Sequence, residues 1–317
     1  MNRLLLAADH DPTSLRRGVA DGALVRLRRG AYLARSDADG ADAWRARERD
    51  RIRAVHSALR TNHVLAGPSA ALLWNLRLWA PPTRTHVRQA SRGAGDSSAD
   101  IGRHRGLPAS SVSIDGLPVT TLEQTVLDCL TWLPPLDGLV VADSALAAGL
   151  DRAAALAELA DRQQRNGRAR AAMLLGLADR GAESEWETWL RYVALRAGLP
   201  AATTQLPVET HLGPMRVDLA WPAYGVLAEF DGAVKYTDGA FGAGYDGRRA
   251  LVAEKRREDA IAEALGVRPV RFMATDARRP DLVVARLTAR FPADVRAALR
   301  PDRRLPALPP WSPPGRA

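Results

Sequence analysis

Over residues 13–22 (TSLRRGVADG) the apolar positions Leu15 and Val19 lie one helical turn apart, with Thr13 placed to cap the start and Gly22 the end. Directly after it, LVRLRR and AYLA alternate apolar and basic residues around Gly30, the period of a small hairpin with one buried face. A short helix followed by a basic hairpin predicts a winged helix-turn-helix over residues 1–36. Residues 43–60 read as a charged amphipathic helix, and His63–Trp79 continues in helix-compatible packing around Ser69, Ala70, Ala71 and Leu72. The β-prone runs THVR, SVSI and LPVT, broken by the Gly/Ser/Asp-rich stretch 91–100, lead into a helix over Thr121–Leu130. Residues 37–150 are therefore expected to form an α+β connector. Ala-rich helices over 136–178, with a turn in 163–170, supply a helical linker at 151–180.

The last third changes period. Residues 182–198 (AESEWETWLRYVALRAG) are helical, with Trp186, Leu190 and Val193 on one face and Glu183 and Glu187, one turn apart, on another. Three strand-like runs follow, TTQLPVE, RVDLAW and GVLAEFD, with Pro222–Gly225 as the turn between the second and third. A glycine-rich loop, a helix over Ala250–Leu265, the strand VRPVRF and a helix from Asp281 complete an α/β pattern over 181–292. The tail 301–317 (PDRRLPALPPWSPPGRA) is rich in proline, cannot extend a helix, and is expected to be disordered.

Charge sharpens the picture at the first end. Residues 1–108 hold 19 Lys and Arg against 10 Asp and Glu, a net of +9, whereas 109–317 hold 26 of each. A localised positive field suits a polyanion, and a winged module would offer Arg16, Arg17, Arg26, Arg28 and Arg29 to the phosphates of double-stranded DNA. An arginine-rich face that only keeps a small cap soluble has the same composition. The single cysteine, Cys129, excludes an intrachain disulfide and lies in no metal-ligand spacing. His56, His63, His86 and His104 are scattered without such spacing either, and are read as structural or exposed. No apolar run approaches the ~20 residues a membrane span requires, and the start lacks a signal-peptide core, so a cytoplasmic protein without membrane contact is expected.

The chemistry is concentrated on the hairpin of the last third. Asp218 falls in its first strand and Glu229 in its second, where a short turn can bring both carboxylates together. Asp231, two residues on, shares a strand face with Glu229. Carboxylates so placed can hold Mg²⁺ (or Mn²⁺), which keeps several waters and grips a phosphate oxygen. Two acids on a hairpin serve equally well to keep a sheet edge soluble. On the long helix Glu254, Lys255, Arg256, Arg257 and Asp259 form a dense polar cluster. Only Lys235 and Lys255 are lysines among 45 basic residues, which singles them out.

Residues 183–290 resemble the very-short-patch-repair-like endonucleases, specifically domain of unknown function 559 of the PD-(D/E)xK superfamily. The matching pieces are Glu183-Ser-Glu-Trp-Glu187, Arg216-Val-Asp-Leu-Ala-Trp221, Ala228-Glu-Phe-Asp-Gly232 with Val234-Lys-Tyr236, and Ala253-Glu-Lys-Arg-Arg-Glu-Asp259. The resemblance implies a restriction-endonuclease-like α/β sandwich. It also implies a Mg²⁺-dependent endonuclease site of Asp218, Glu229 and Asp231, assisted by Glu187 or Glu183, with Arg256 and Arg257 facing DNA. The superfamily pattern has a lysine two residues after the second acid; here Asp231 stands there. Lys235, or more favourably Lys255 on its rigid helix, is the expected substitute. The first 150 residues are similar to the AbiEi-type antitoxin domain of type IV toxin-antitoxin systems, through Leu15-Arg-Arg17, Arg29-Gly-Ala-Tyr32 and Gly116-Leu-Pro-Val-Thr-Thr121. That implies a winged-helix regulator with a cognate toxin as a partner. The combined expectation is a mixed α/β protein of two domains, either a DNA-binding endonuclease or a transcriptional regulator whose nuclease-like half is silent.

Overall fold

The computed structural model describes residues 4–28, 30–34, 43–90, 99–162, 165–231 and 247–311. The chain divides into two compact units, 1–178 and 179–317, each of mixed α/β character. Among the described residues no helix is long and apolar enough to cross a membrane.

The first unit opens with β1 (Leu4–Leu6), α1 (Pro12–Ala20), β2 (Leu24–Arg28) and β3 (Ala31–Ala34). The strands form an antiparallel sheet in the order β1-β3-β2. Asp11, not Thr13, caps α1: its carboxylate accepts the Ser14 N–H at 2.8 Å, and Pro12 takes the first helical position, where no N–H is needed. Gly22 follows the helix with a φ of 73°, as expected of a residue past the C-cap.

The middle of the chain is more than a connector. After α2 (Ala43–Ala58) come β4 (His63–Leu65), α3 (Gly67–Leu73), β5 (Thr85–Gln89), β6 (Ile101–Arg105), β7 (Ser111–Ile114) and β8 (Leu117–Thr120). The five strands make one mixed sheet in the order β6-β5-β4-β8-β7. The fully buried α3 packs on this sheet with α4 (Leu122–Trp132), capped by Thr121, and α5 (Pro135–Ala147) follows. The expected linker joins the same core: α6 (Arg152–Asp161) and α7 (Arg168–Leu177) pack on α4. Asp128 of α4 is wholly buried, but Arg88 forks onto it at 2.8 and 2.6 Å, and Gln124 and Arg162 add bonds at 2.7 and 3.2 Å. That is how a buried carboxylate is tolerated. The histidines scattered in sequence meet as pairs, His56 with His63 and His86 with His104, each 3.0 Å apart, and His104 stacks on Trp132.

The second unit runs α8 (Glu185–Arg196), β9 (Thr203–Thr210), β10 (Gly213–Trp221), β11 (Val226–Asp231), α9 (Gly247–Leu265), β12 (Val270–Met273), α10 (Pro280–Thr288) and α11 (Ala293–Ala298). Its sheet has the order β12-β11-β10-β9, antiparallel except that β12 runs parallel to β11. Every residue of β11 is buried, so each face of that strand is covered. Phe230 stacks on Trp186 of α8, with ring centroids 5.0 Å apart, and meets Trp189 edge-on. Leu227, on the opposite face, shares a core with Ile261 of α9.

The proline-rich segment is not disordered through Trp311. The Asp302 N–H donates to the Arg196 carbonyl at 2.9 Å, Leu305 is 1% exposed, and the Tyr192 hydroxyl donates to the Pro306 carbonyl at 2.9 Å. The Trp311 N–H donates to the Ala277 carbonyl, and its ring meets Trp186 edge-on. Prolines that forbid a helix still leave carbonyls and apolar rings to dock an extended chain. Gly198 makes room: with φ 86°, a side chain there would come within 2.3 Å of the Arg300 carbonyl oxygen.

Candidate carboxylate and arginine site

The hairpin pairing of β10 with β11 covers Trp221↔Val226, Ala220↔Leu227 and Leu219↔Ala228 and goes no further. Where the strands part, Asp218 takes over a backbone role: its Oδ2 accepts the Phe230 N–H at 2.8 Å. On the other side β10 keeps one register with β9, from Val217↔Leu206 to Leu219↔Thr204, and the position skipped between them is that of Asp218 and Gln205. Across on β9, Gln205 adopts a φ of 50°, a conformation costly for a side chain with a Cβ and kept where surroundings over-determine it. Its amide Nε2 donates to Glu187 Oε2 at 3.1 Å and, at 3.5 Å, to Asp218 Oδ1.

Glu187 is held by the start of α8. The Ser184 hydroxyl accepts the Glu187 N–H at 3.1 Å and donates to its Oε1 at 2.8 Å, while the Glu183 N–H donates to Oε2 at 2.8 Å. Ser184 is thus the N-cap of α8, and Glu187 reaches back to the backbone one residue before that cap. Burial raises the Glu187 pKa, and the Asp218 charge raises it further. Glu183 precedes the helix and does not share its face with Glu187. It is exposed and pairs with Arg216 at 3.1 Å.

Glu229 lies at the centre, 2% exposed. Among the described residues neither of its carboxylate oxygens accepts a hydrogen bond. Two guanidiniums stand off it, Arg257 Nη2 at 3.3 Å and Arg271 Nε at 3.7 Å. Burial pushes its pKa up to about 7; Arg257 and Arg271 pull the other way, and the charges of Asp218 and Asp231 add to the rise. Asp231 is gripped by Arg271, with Nε 2.8 Å from Oδ2 and Nη2 donating to Oδ1 at 3.0 Å. Arg271 also reaches Glu254 and, at 3.5 Å, Glu258, both on α9. Its pKa is raised; burial opposes the rise, and Asp231, Glu254 and Glu229 outweigh it.

The structure thus brings Asp218, Glu229, Asp231, Glu187 and Arg257 into one region. Lys255, the expected ammonium, is exposed, as is Arg256, while Glu254, Arg257 and Glu258 make the contacts to the acids and Arg271. Lys235 lies outside the described residues. Arg271 was not singled out in the sequence. Its signal is the alternation in VRPVRF, where Val270 and Phe272 are buried and Arg271 falls in register with Glu229. Gln205 offers no such signal. Among the described residues no three His, Cys, Asp or Glu side chains stand together as a metal-binding group. In the first unit Arg16, Arg17 and Arg26 are exposed. Arg28 is partly buried and pairs with Asp100 at 3.4 Å, and Arg29 lies outside the described residues.

Fold and site together define a mixed α/β protein of two units, the second holding a buried carboxylate cluster met by two arginines. No family model matches the chain. Two curated relatives from Mycobacterium tuberculosis, uncharacterized proteins MT2308 (strain CDC 1551) and Rv2248 (strain H37Rv), are each 33% identical over 131 residues. The match covers 41% of this chain and 45% of each relative, so the chain spans less than half their length. A solved structure, the RV2827C protein from Mycobacterium tuberculosis, is similar at 18% identity and a TM-score of 0.37, covering 55% of this chain and 71% of that one.

Proposed function

We propose that the chain binds double-stranded DNA and that its second unit is a Mg²⁺-dependent (or Mn²⁺-dependent) endonuclease that hydrolyses phosphodiester bonds. The observation that carries this reading is Glu229: a buried carboxylate, both oxygens without a hydrogen bond, beside Asp218 where two strands part. Orphaned buried oxygens next to a second carboxylate suit a divalent cation, and Asp218 and Glu229 are the residues that would hold it. Bound there, such an ion polarises a phosphoryl oxygen and makes water more acidic. The chain's own residues do the positioning. Gln205 ties Asp218 to Glu187, and Ser184 with the Glu183 N–H fixes Glu187, so Asp218 keeps one orientation. Glu187, spent on its cap, orients rather than transfers protons. The exposed Lys255 and Arg256 and the half-exposed Arg257 offer positive charge to the DNA backbone. Purified wild-type protein with Mg²⁺ or Mn²⁺ is expected to nick supercoiled plasmid, and Asp218→Ala and Glu229→Ala are expected not to. Equal nicking by all three would attribute the activity to a contaminant.

A second reading is favoured by Arg271 and Arg257, which already stand against Asp231 and Glu229, and by the exposure of Lys255. On that reading the chain is an AbiEi-like transcriptional regulator, with a toxin as its partner, and the second unit is a silent platform. DNA binding then rests on the first unit. Arg16→Ala and Arg26→Ala are each expected to weaken binding to an upstream promoter fragment and to lower the salt slope by about one. Gel-shift titrations at several salt concentrations would measure this, and unaltered affinity in both variants counts against the wing.

A further inference from the structure

Four carboxylates, Glu229, Asp231, Glu254 and Glu258, stand against the guanidiniums of Arg271 and Arg257, and Asp218 adds its charge beside Glu229; of these acids Glu258 also pairs with Arg268 at 3.3 Å. The region is short of positive charge even with both arginines in place. The two arginines are held very differently. Arg271 engages Asp231 through two nitrogens and also meets Glu254 and Glu258, so it is fixed from three sides. Arg257 is 34% exposed at its side chain and stands 3.3 Å from Glu229 and 3.4 Å from Glu254. Two hydrogen bonds orient it, Nη2 to the Arg216 carbonyl at 2.6 Å and Nη1 to Glu254 Oε1 at 3.4 Å, and neither goes to Glu229.

Its contact with Glu229 is one of charge without direction. A guanidinium is built for forked hydrogen bonds to a carboxylate, yet here no hydrogen bond forms and both Glu229 oxygens are left over. A compact cation satisfies such oxygens better than a planar fork does. Arg257 also follows the exposed Lys255 and Arg256 directly on α9, so a guanidinium leaving Glu229 joins a basic patch already open to solvent.

We propose that Arg257 stands in for the divalent cation on Glu229, yields that place when the cation binds, and turns to the phosphates of DNA. The proposal rests on the metal reading of Asp218 and Glu229. In it Arg257 is a positioning residue that lowers the affinity of the site for metal until DNA is present. No bond is made or broken; one positive charge is exchanged for a double one.

The test is calorimetric titration of Mn²⁺ into the full chain without DNA, for wild type, Arg257→Met, Arg257→Gln and Glu229→Gln, each checked for folding by thermal melting. Removing a competing unit charge is expected to tighten Mn²⁺ binding about tenfold in both Arg257 variants, and Glu229→Gln is expected to abolish it. The Arg257 variants are further expected to bind DNA in Mn²⁺ with a salt slope lower by about one. Equal or weaker Mn²⁺ affinity in Arg257→Met and Arg257→Gln overturns the proposal and leaves the metal reading standing. Absence of Mn²⁺ binding in wild type and Arg257 variants alike removes the metal reading as well. Tighter metal binding with an unchanged salt slope overturns the turn toward phosphate.

Discussion

Glu229→Gln is expected to destroy metal-dependent nicking while making the metal-free protein more stable at pH 8. The wild-type carboxyl ionises at about 7 in the fold against an ordinary value of 4.5, chiefly because burial penalises its charged form. Below pH 4.5 it is neutral whether the chain is folded or not, so it costs nothing. Between 4.5 and about 7 the unfolded chain gives up the proton first, and stability falls as pH rises. Above that window the loss is complete, about 2–3 kcal/mol for a side chain this buried. Glutamine keeps the shape and removes the charge. Urea denaturation with EDTA present should therefore show the variant about 2 kcal/mol more stable at pH 8, with the gain vanishing near pH 4.5. A variant less stable than wild type at pH 8 would mean that the two arginines depend on Glu229 more than Glu229 suffers from burial.

Arg271→Met is expected to have the opposite sign. Methionine fills much of the same space but leaves Asp231 and Glu254 without their main counter-charge and deepens the strain at Glu229. Removing one partner of a buried ion cluster costs about 3 kcal/mol, because the remaining charges stay desolvated. The loss should appear in the urea transition of the second unit and should shrink as pH falls and the acids are protonated. Arg271→Lys is expected to recover only part of it, since an ammonium cannot fork across Asp231 while reaching Glu254. A loss below about 0.5 kcal/mol in Arg271→Met would mean that water already screens the cluster as it does surface pairs.

How much of this was legible in the residues varies with the range of the contact. The Asp218 and Glu229 hairpin could be read because its strands are adjacent in sequence and its turn is short. The helix over 182–198 could be read for the same reason, but its start could not: the helix begins at Glu185 behind the Ser184 cap, which removes the face drawn through Glu183. The partner of Glu229 was hidden because β12 reaches β11 by a parallel crossover through α9, and a register such as Glu229↔Arg271 leaves no local pattern. Lys255 was expected as the ammonium of the site because its helix is rigid. The turn of α9 that meets the acids carries Glu254, Arg257 and Glu258 instead. The five-stranded sheet was missed because β4 pairs with β8, and β5 with β6, across long separations. A run of three residues such as His63–Leu65 carries too little alternation to declare itself.

The docking of the proline-rich segment has a consequence for the order in which the molecule is made. Trp311 closes on Trp186, Trp186 lies on Phe230, and Phe230 sits between the acids Glu229 and Asp231 on β11. A ribosome delivers residue 311 some eighty positions after that strand. The aromatic layer packed against β11 through Phe230 is thus closed by a residue made well after the strand itself, which ties the packing behind that strand to chain some eighty positions later.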